Sequence, residues 1–440
     1  MLSSPTRLSR TGLGLIGLLS GGACAEVLDS PQPTSVINSA IDSASAFNPK
    51  LSLILDGGYR HQRAATDAPD VSDVGSAFAA NHHTEHAHGE TENGFAVGES
   101  EVILSATIDP YFDGLFNVAF DGEAVEVEEA WAQTRMLPHG LRLKMGRFLS
   151  GVGYRNAQHP HAWQLADASL PAVAFLGEHG LNDNGLQLTW LPDLPVYVQL
   201  GAEVLQGHDQ TRFAVQADDD SKAVFDTTVE TQSGPRVWTA FANVAPNLPT
   251  GYDNHALQLG AWLAHARQFV QVSGEDDSAV LLAGDQQLYG LSAVYKWDSP
   301  KPAGQGDVKV VAEWMYADSG ADVVATGTAV SNALGQRVDQ HQQGYTLEAL
   351  WGVAPRWQLA TRWDGLSRAR LQDGAASVDV DASQRATVAL NYLPSEFSRL
   401  RLQASVASLA QVEPPRDARR VRSVQLQYTF SLGPHGAHAF

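Results

Sequence analysis

The sequence predicts an all-β chain: a transmembrane antiparallel β-barrel of about 16 strands with no plug domain. Three observations predict it. Apolar and polar residues alternate with a period of two in segment after segment, from Leu51 to Phe430. The connections between these segments alternate between short turns, most of them carrying proline, and long polar stretches. Beyond the N-terminus no run of about 18 apolar residues occurs, which excludes a spanning helix. Successive side chains on a strand point to opposite faces, so each segment can meet hydrocarbon with one side and water with the other. The rival architecture is a soluble, exported β-sandwich or propeller, which buries its apolar face in a packed core and has no systematic asymmetry in its connections.

Export comes first in the chain. Arg7 and Arg10, the apolar run from Thr11 to Leu19 and the small residues Ala23-Cys24-Ala25 read as a signal peptide over 1–25. Cys24 raises a lipoprotein alternative, but Gly21-Gly22-Ala23 lacks the aliphatic residue expected three positions before a lipidated cysteine. Cleavage after Ala25 removes the one cysteine. Residues 26–50, rich in Pro, Ser, Asp and Asn with a helix-compatible Val36 to Ala44, read as a periplasmic lead-in, and 51–440 as the barrel. The formal net charge is −20, and loss of Arg7 and Arg10 leaves 27 basic against 49 acidic residues, or −22. Such a balance disfavours nucleic acid and favours metal cations or a lipopolysaccharide surface bridged by divalent ions. It equally suits the solubility of long loops.

The apolar faces follow in order. They are Leu51 to Leu55, Val102 to Ile108, Phe116 to Phe120, Ala130 to Met136, Leu141 to Met145, Leu186 to Trp190, Val196 to Val204 and Trp238 to Val244. The second half repeats the pattern with Leu257 to Leu263, Tyr289 to Tyr295, Val308 to Tyr316, Tyr345 to Trp351, Trp357 to Trp363, Ala386 to Tyr392, Leu400 to Val406 and Val424 to Phe430. Short turns at Pro110, Pro138, Pro192, Pro246, Pro300, Pro355 and Pro394 would face the periplasm. The stretches 60–94, 148–184, 206–235, 267–287, 318–340, 364–383 and 407–420 would face outward, and only 121–124 is brief on that side. Trp190, Trp297, Trp351 and Trp363 at strand ends suit an interfacial aromatic girdle.

The opposite faces should line the interior. Glu99, Glu101, Glu129, Glu203, Glu313 and Glu348 dominate the first two thirds, with Arg135, Arg142, Lys144 and Lys309 among them. Arg356, Arg362, Arg385, Arg399 and Arg401 then cluster on three consecutive strands. Opposed acidic and basic walls either sort solutes by a transverse field or pair with one another and hold water, and both readings stay open. The third outward connection, 148–184, carries a helix-compatible piece over 163–169. In trimeric porins the third loop narrows the channel, which makes Arg155, His159, His161, Asp167, Glu178 and His179 constriction candidates by analogy.

The first outward connection holds His82, His83, Glu85, His86, His88 and Glu90 within nine positions. Imidazole nitrogen and carboxylate oxygen are ligands that Zn²⁺ accepts, and a loop can wrap several of them round one ion. The bland alternative is a hydrophilic loop rich in histidine. His159, His161, His435 and His438 are secondary metal candidates. No spacing places a nucleophilic Ser or Asp with a His at an outward rim, so no enzyme is expected.

The segments Phe47 to Tyr59, Val127 to Thr134, Lys144 to Phe148 and Leu426 to His438 resemble a proteobacterial family of zinc-regulated outer-membrane receptors. The stretch from Glu128 to Phe148 also resembles phosphate-selective porins. The resemblance implies an outer-membrane channel or receptor for small solutes, with zinc or another transition metal as cargo or loop-bound ion and no required cofactor. A phosphate-type or general anion porin is the alternative. Energy-coupled receptors place a plug domain of well over a hundred residues before a barrel of about 22 strands, whereas only 26–50 precedes the first strand here. An energy-coupling partner is therefore not expected, while trimer and monomer both fit the sequence.

Overall fold

The computed structural model describes residues 49–78, 93–122, 124–207, 213, 225, 234–249, 251, 254–274 and 276–433. The expected signal peptide, most of the lead-in, the histidine cluster from His82 to Glu90, and His435 and His438 lie outside the described residues. The first eight strands are β1 (Lys50–Ala64), β2 (Gly94–Val97 and Ser100–Thr107), β3 (Phe112–Phe120), β4 (Val125–Thr134), β5 (Leu141–Leu149), β6 (Asn182–Trp190), β7 (Tyr197–Leu205) and β8 (Val237–Ala245). The second eight are β9 (His255–Ser273), β10 (Val280–Trp297), β11 (Val308–Thr326), β12 (Arg337–Ala354), β13 (Trp357–Leu366), β14 (Ser383–Ser395), β15 (Ser398–Leu409) and β16 (Arg419–Leu432). The two pieces of β2 pair with successive stretches of β1 and so count as one interrupted strand. Each strand pairs antiparallel with the next, and β16 pairs with β1 from Leu432↔Leu53 to Val421↔Ala64, which closes the barrel.

Burial follows the two-residue period in the sense that hydrocarbon demands. Leu186, Leu188, Leu259, Leu347, Leu390, Leu402 and Leu426 are exposed on the outside, whereas Gln187, Thr189, Gln258, Thr346, Asn391 and Gln403 beside them are buried inside. A sandwich would bury the leucines. A continuous apolar exterior is stable only against lipid, and a closed ladder leaves no unpaired strand edge there. Trp190, Trp351, Trp357 and Trp363 stand on the same outer surface, with the rings of Trp357 and Tyr392 tilted against each other at 4.6 Å and those of Trp363 and Tyr345 at 4.9 Å.

The strands differ in length. Each of β5 to β8 has 9 residues, close to the roughly 9–11 that a tilted strand needs to cross a bilayer. By contrast β9 and β11 have 19 and β10 and β12 have 18. The stretches 267–287 and 318–340, expected as loops, are therefore mostly strand, joined by 274–279 and 327–336. Ladder hydrogen bonds need no lipid, so pairing continues beyond the membrane where the outward face turns polar. The β9–β10 hairpin carries a bulge between Ala266 and Phe269, and the tips of the two hairpins share an apolar cluster of Phe269, Val280, Leu282, Val323 and Val338. Pro394 also differs from expectation: it lies inside β14, at an irregular register between Tyr392 and Ser395, and the turn follows it. A proline is tolerated where the ladder is already broken.

The outer half of the interior is packed. Val74 and Phe78 from the first connection, Phe175 and Leu176 from the third, and Phe213 meet Phe148, Phe241 and Trp262 of the wall. The Phe78 ring lies 5.9 Å from Phe175 and 5.7 Å from Phe213. Gln342 of β12 accepts from the Ala77 amide at 3.1 Å and donates to the Gly75 carbonyl at 3.2 Å. A short hairpin of Ala369–Asp373 and Ala376–Val380 lies beside the β9 tip, where the Ser273 hydroxyl donates to the Gln372 carbonyl at 3.1 Å. Gly274 permits this approach, since it has φ +81° and a Cβ there would stand 2.6 Å from Gly374 Cα.

Candidate functional site

The third outward connection, between β5 and β6, crosses the barrel interior, and the charges of the wall are its attachment points. It leaves the wall over Phe241, where a Cβ on Gly151 would lie 2.4 Å from the ring. Glu203 of β7 accepts from the Ser150 hydroxyl and, at 2.8 Å, from the Gly151 amide. Glu313 of β11 accepts from the Tyr154 amide at 2.7 Å, and Arg155 pairs with Glu348 of β12. The chain then meets β2 and β4. His159 places Nε2 2.7 Å from Glu129 Oε1 and Nδ1 3.1 Å from Glu128 Oε2, and His161 places Nδ1 2.5 Å from Glu101 Oε1. The two imidazoles stack with centroids 5.8 Å apart and planes 7° apart.

From there the loop runs to the arginines. The Trp163 carbonyl accepts from Arg399 at 2.7 Å and from Arg401 at 2.6 Å. Asp167 accepts from Arg362 at 2.9 Å and from Arg385 at 2.7 Å, and Asp364 of β13 binds Arg385 at 2.8 Å and the Leu170 amide at 2.7 Å. The loop thus offers imidazoles to the acidic wall and a carboxylate with carbonyls to the basic one. Ions buried in this way are stable only when paired and hydrogen-bonded, and the loop supplies the pairing.

The helix of this loop, α1, spans Leu170–Leu176 and not the expected 163–169. Ser169 caps it, accepting from the Ala172 amide at 3.4 Å, Pro171 sits in the first turn, and Gly177 at φ 92° ends it. Proline is tolerated where an N–H has no helical partner, so the Ser-Leu-Pro order sets the start after 169.

A cavity of about 60 Å³ lies between the loop and the walls, bordered by Glu99, Glu128, His159, Asp167, His179 and Arg362 among others. On its acidic side the carboxylate oxygens of Glu99 and Glu128 and a ring nitrogen of His179 lie within 4.8 Å of one another, and Glu101, Glu128 and His159 form a second such group. Carboxylate and imidazole are the donor set that borderline divalent metals accept.

Glu128 is the candidate residue that alternation alone does not reveal. Glu129 and Trp131 face in, so counting back from them puts Glu128 outside, although Val125 and Val127 before it also face out. A bulge places it otherwise. The pairing of β3 with β4 steps from Asn117↔Glu129 to Val118↔Val127, leaving Glu128 as the extra residue, directed inward beside Glu129. Bulges re-aim side chains in this way.

The remaining candidates are placed as follows. Lys144 is buried 4.9 Å over the Trp131 ring, and Lys309 lies 5.2 Å over Tyr154. Arg135 pairs with Asp113 at 3.4 Å, near the short-turn end of the barrel that Arg142 shares. Glu178 and His179 border the cavity where the loop returns to β6. Arg356 departs from the expected wall position: it is exposed in the turn between β12 and β13 with φ 67°, because the alternating pattern ends at Ala354.

No family model matches the chain. An uncharacterized protein of Aquifex aeolicus (strain VF5) is 30% identical over 406 residues, covering 90% of this chain and 81% of that protein. The chain belongs to the family of that protein. The fold of this family has solved counterparts at low identity. The anion-selective porin from Comamonas acidovorans superposes with a TM-score of 0.52 at 9% identity, over 88% of this chain and 99% of the porin. The outer membrane channel DcaP of Acinetobacter baumannii gives 0.50 at 12%, over 87% and 97%. Pseudomonas putida OprB gives 0.50 at 10%, over 89% and 95%. With its apolar exterior and closed ladder, this porin-like barrel resides in the outer membrane.

Proposed function

We propose that the barrel admits small solutes across the outer membrane and that its favoured cargo is zinc or another divalent transition-metal cation. One observation carries the reading: Glu99, Glu101, Glu128, Glu129, His159, His161 and His179 converge where the inward loop meets the β2 to β4 wall. The resemblance to zinc-regulated receptors supports the same cargo, and the His82 to His88 cluster would collect the ion at the outer mouth. The anion-porin alternative draws on the arginines, but Arg362 and Arg385 already bind Asp167, and Arg399 and Arg401 the Trp163 carbonyl. Little of their donor capacity is left for a free anion. Reversal potentials across a ZnCl₂ gradient in planar bilayers test the reading. Selectivity for Zn²⁺ over chloride is expected, and chloride selectivity would overturn it in favour of the anion porin.

A further inference from the structure

We propose that Glu99, Glu128 and His179 form a coordination site for one divalent transition-metal ion, placed on the inward path between the outer rim and the interior cavity. The proposal rests on the metal-channel reading and deepens it by naming the site.

Position is the first argument. The three residues border the cavity of about 60 Å³ on the inner side and a second void of about 10 Å³ on the other, lined by Phe120, Asp121, Ala124 and Glu126. That second void lies at residues 121–124, the shortest of the outward connections. Asp121 and Glu126 line it, carboxylates of the sign that attracts cations.

Unmatched oxygens are the second argument, independent of the cluster itself. Asn117, 1% exposed, donates through Nδ2 to Glu101 at 2.7 Å and to Glu128 at 3.0 Å. Asn182, 5% exposed, donates through Nδ2 to the Glu128 carbonyl at 2.8 Å. With their amide nitrogens fixed on Glu128, both leave Oδ1 buried without a donor, as is Glu99 Oε1. Three buried acceptors without a donor, on Glu99 and on two residues bonded to Glu128, are costly unless a donor or a positive charge meets them. A cation or its bound water supplies what the protein does not.

Donor chemistry is the third. Two carboxylates and one imidazole leave room in the shell of a Zn²⁺-like ion for water, and the absence of thiolate favours exchange over permanent capture. Glu128 belongs also to the group with Glu101 and His159, which continues the ligand path inward. In that second group His159 also faces Glu129 with its other nitrogen.

The test uses the full chain refolded in detergent, with Co²⁺ as an absorption probe and Zn²⁺ in calorimetry. Four proteins are compared: the parent, a H82A/H83A/H86A/H88A chain, and that chain with Glu99→Gln or His179→Gln added. The quadruple variant should keep one interior ion, and each added substitution should weaken it by about tenfold or more and abolish the visible Co²⁺ bands. Heat-modifiable mobility on gels confirms that each variant is folded. If the quadruple variant binds nothing, or if both additions bind as it does, the site is overturned. Loss of binding with undiminished Zn²⁺ influx into proteoliposomes would remove the site from the path but leave the channel reading intact. Binding as expected with no influx in any protein would keep the site and overturn the channel reading.

Discussion

Asp167 shows how a single side chain holds the interior together. Its carboxylate spans Arg362 and Arg385, whose own side chains are 1% and 3% exposed, while Asp167 is 34% exposed. Removing one partner of a buried ion pair costs about 3–5 kcal/mol, and the partial exposure here lowers the expectation for Asp167→Asn to about 2–4 kcal/mol. Urea unfolding in lipid vesicles, followed by tryptophan fluorescence, should show that loss, and an unchanged midpoint would mean that the arginines find other partners. Residues of this kind were half legible. Alternation places Glu101, Glu203, Arg362 and Arg385 inside because each sits on a regular strand. It misplaces Glu128, whose inward direction depends on a bulge, and Arg356, which has left its strand. Which inward charge meets which was not legible, because each partner lies on a loop far away in sequence.

Among the described elements, the connection between β5 and β6 is the one that crosses the barrel interior. It touches β2, β4, β7, β11, β12, β13, β14 and β15 through the bonds described, so it behaves as a fixed crosspiece. Excising residues 157–168 removes His159, His161 and Asp167 together and opens the space between the walls. Single-channel conductance should rise several-fold over the parent, and the charged walls, no longer matched by the loop, should show stronger ion selectivity. Equal conductance would place the narrowest point elsewhere, in the apolar packing of Phe78, Phe175 and Phe213. Its length and polarity mark this loop in the sequence, and the porin analogy suggests its inward course. The start of its helix follows from Ser169 and Pro171, a capping signal outweighed in the sequence reading by the run from Trp163. Two outer hairpins were read as loops for a related reason: period-two patterning loses its apolar half outside the membrane although the ladder of hydrogen bonds goes on.

The whole molecule is an inverted protein in its membrane zone, apolar outside and polar within, capped by an apolar core of its own loops toward the exterior. Strand number and closure were legible because the alternation repeats about 16 times, and the outward sense of the apolar faces because short turns alternate with long polar connections. The packing of the mouth was not, since Val74, Phe78 and Phe213 come from connections whose course no local pattern dictates. On the proposed reading, divalent metal ions cross this barrel through a carboxylate and imidazole cluster. Ligand imidazoles must be neutral to bind metal, so protons compete with the ion and passage should weaken as pH falls. The most direct measurement is Zn²⁺ influx into proteoliposomes loaded with a zinc-sensitive dye, at pH 7.5 and at pH 5.5, with phosphate influx followed in parallel. Zn²⁺ influx above that of empty vesicles, reduced at the lower pH, is expected, with little phosphate influx. Phosphate influx without Zn²⁺ influx would contradict the reading.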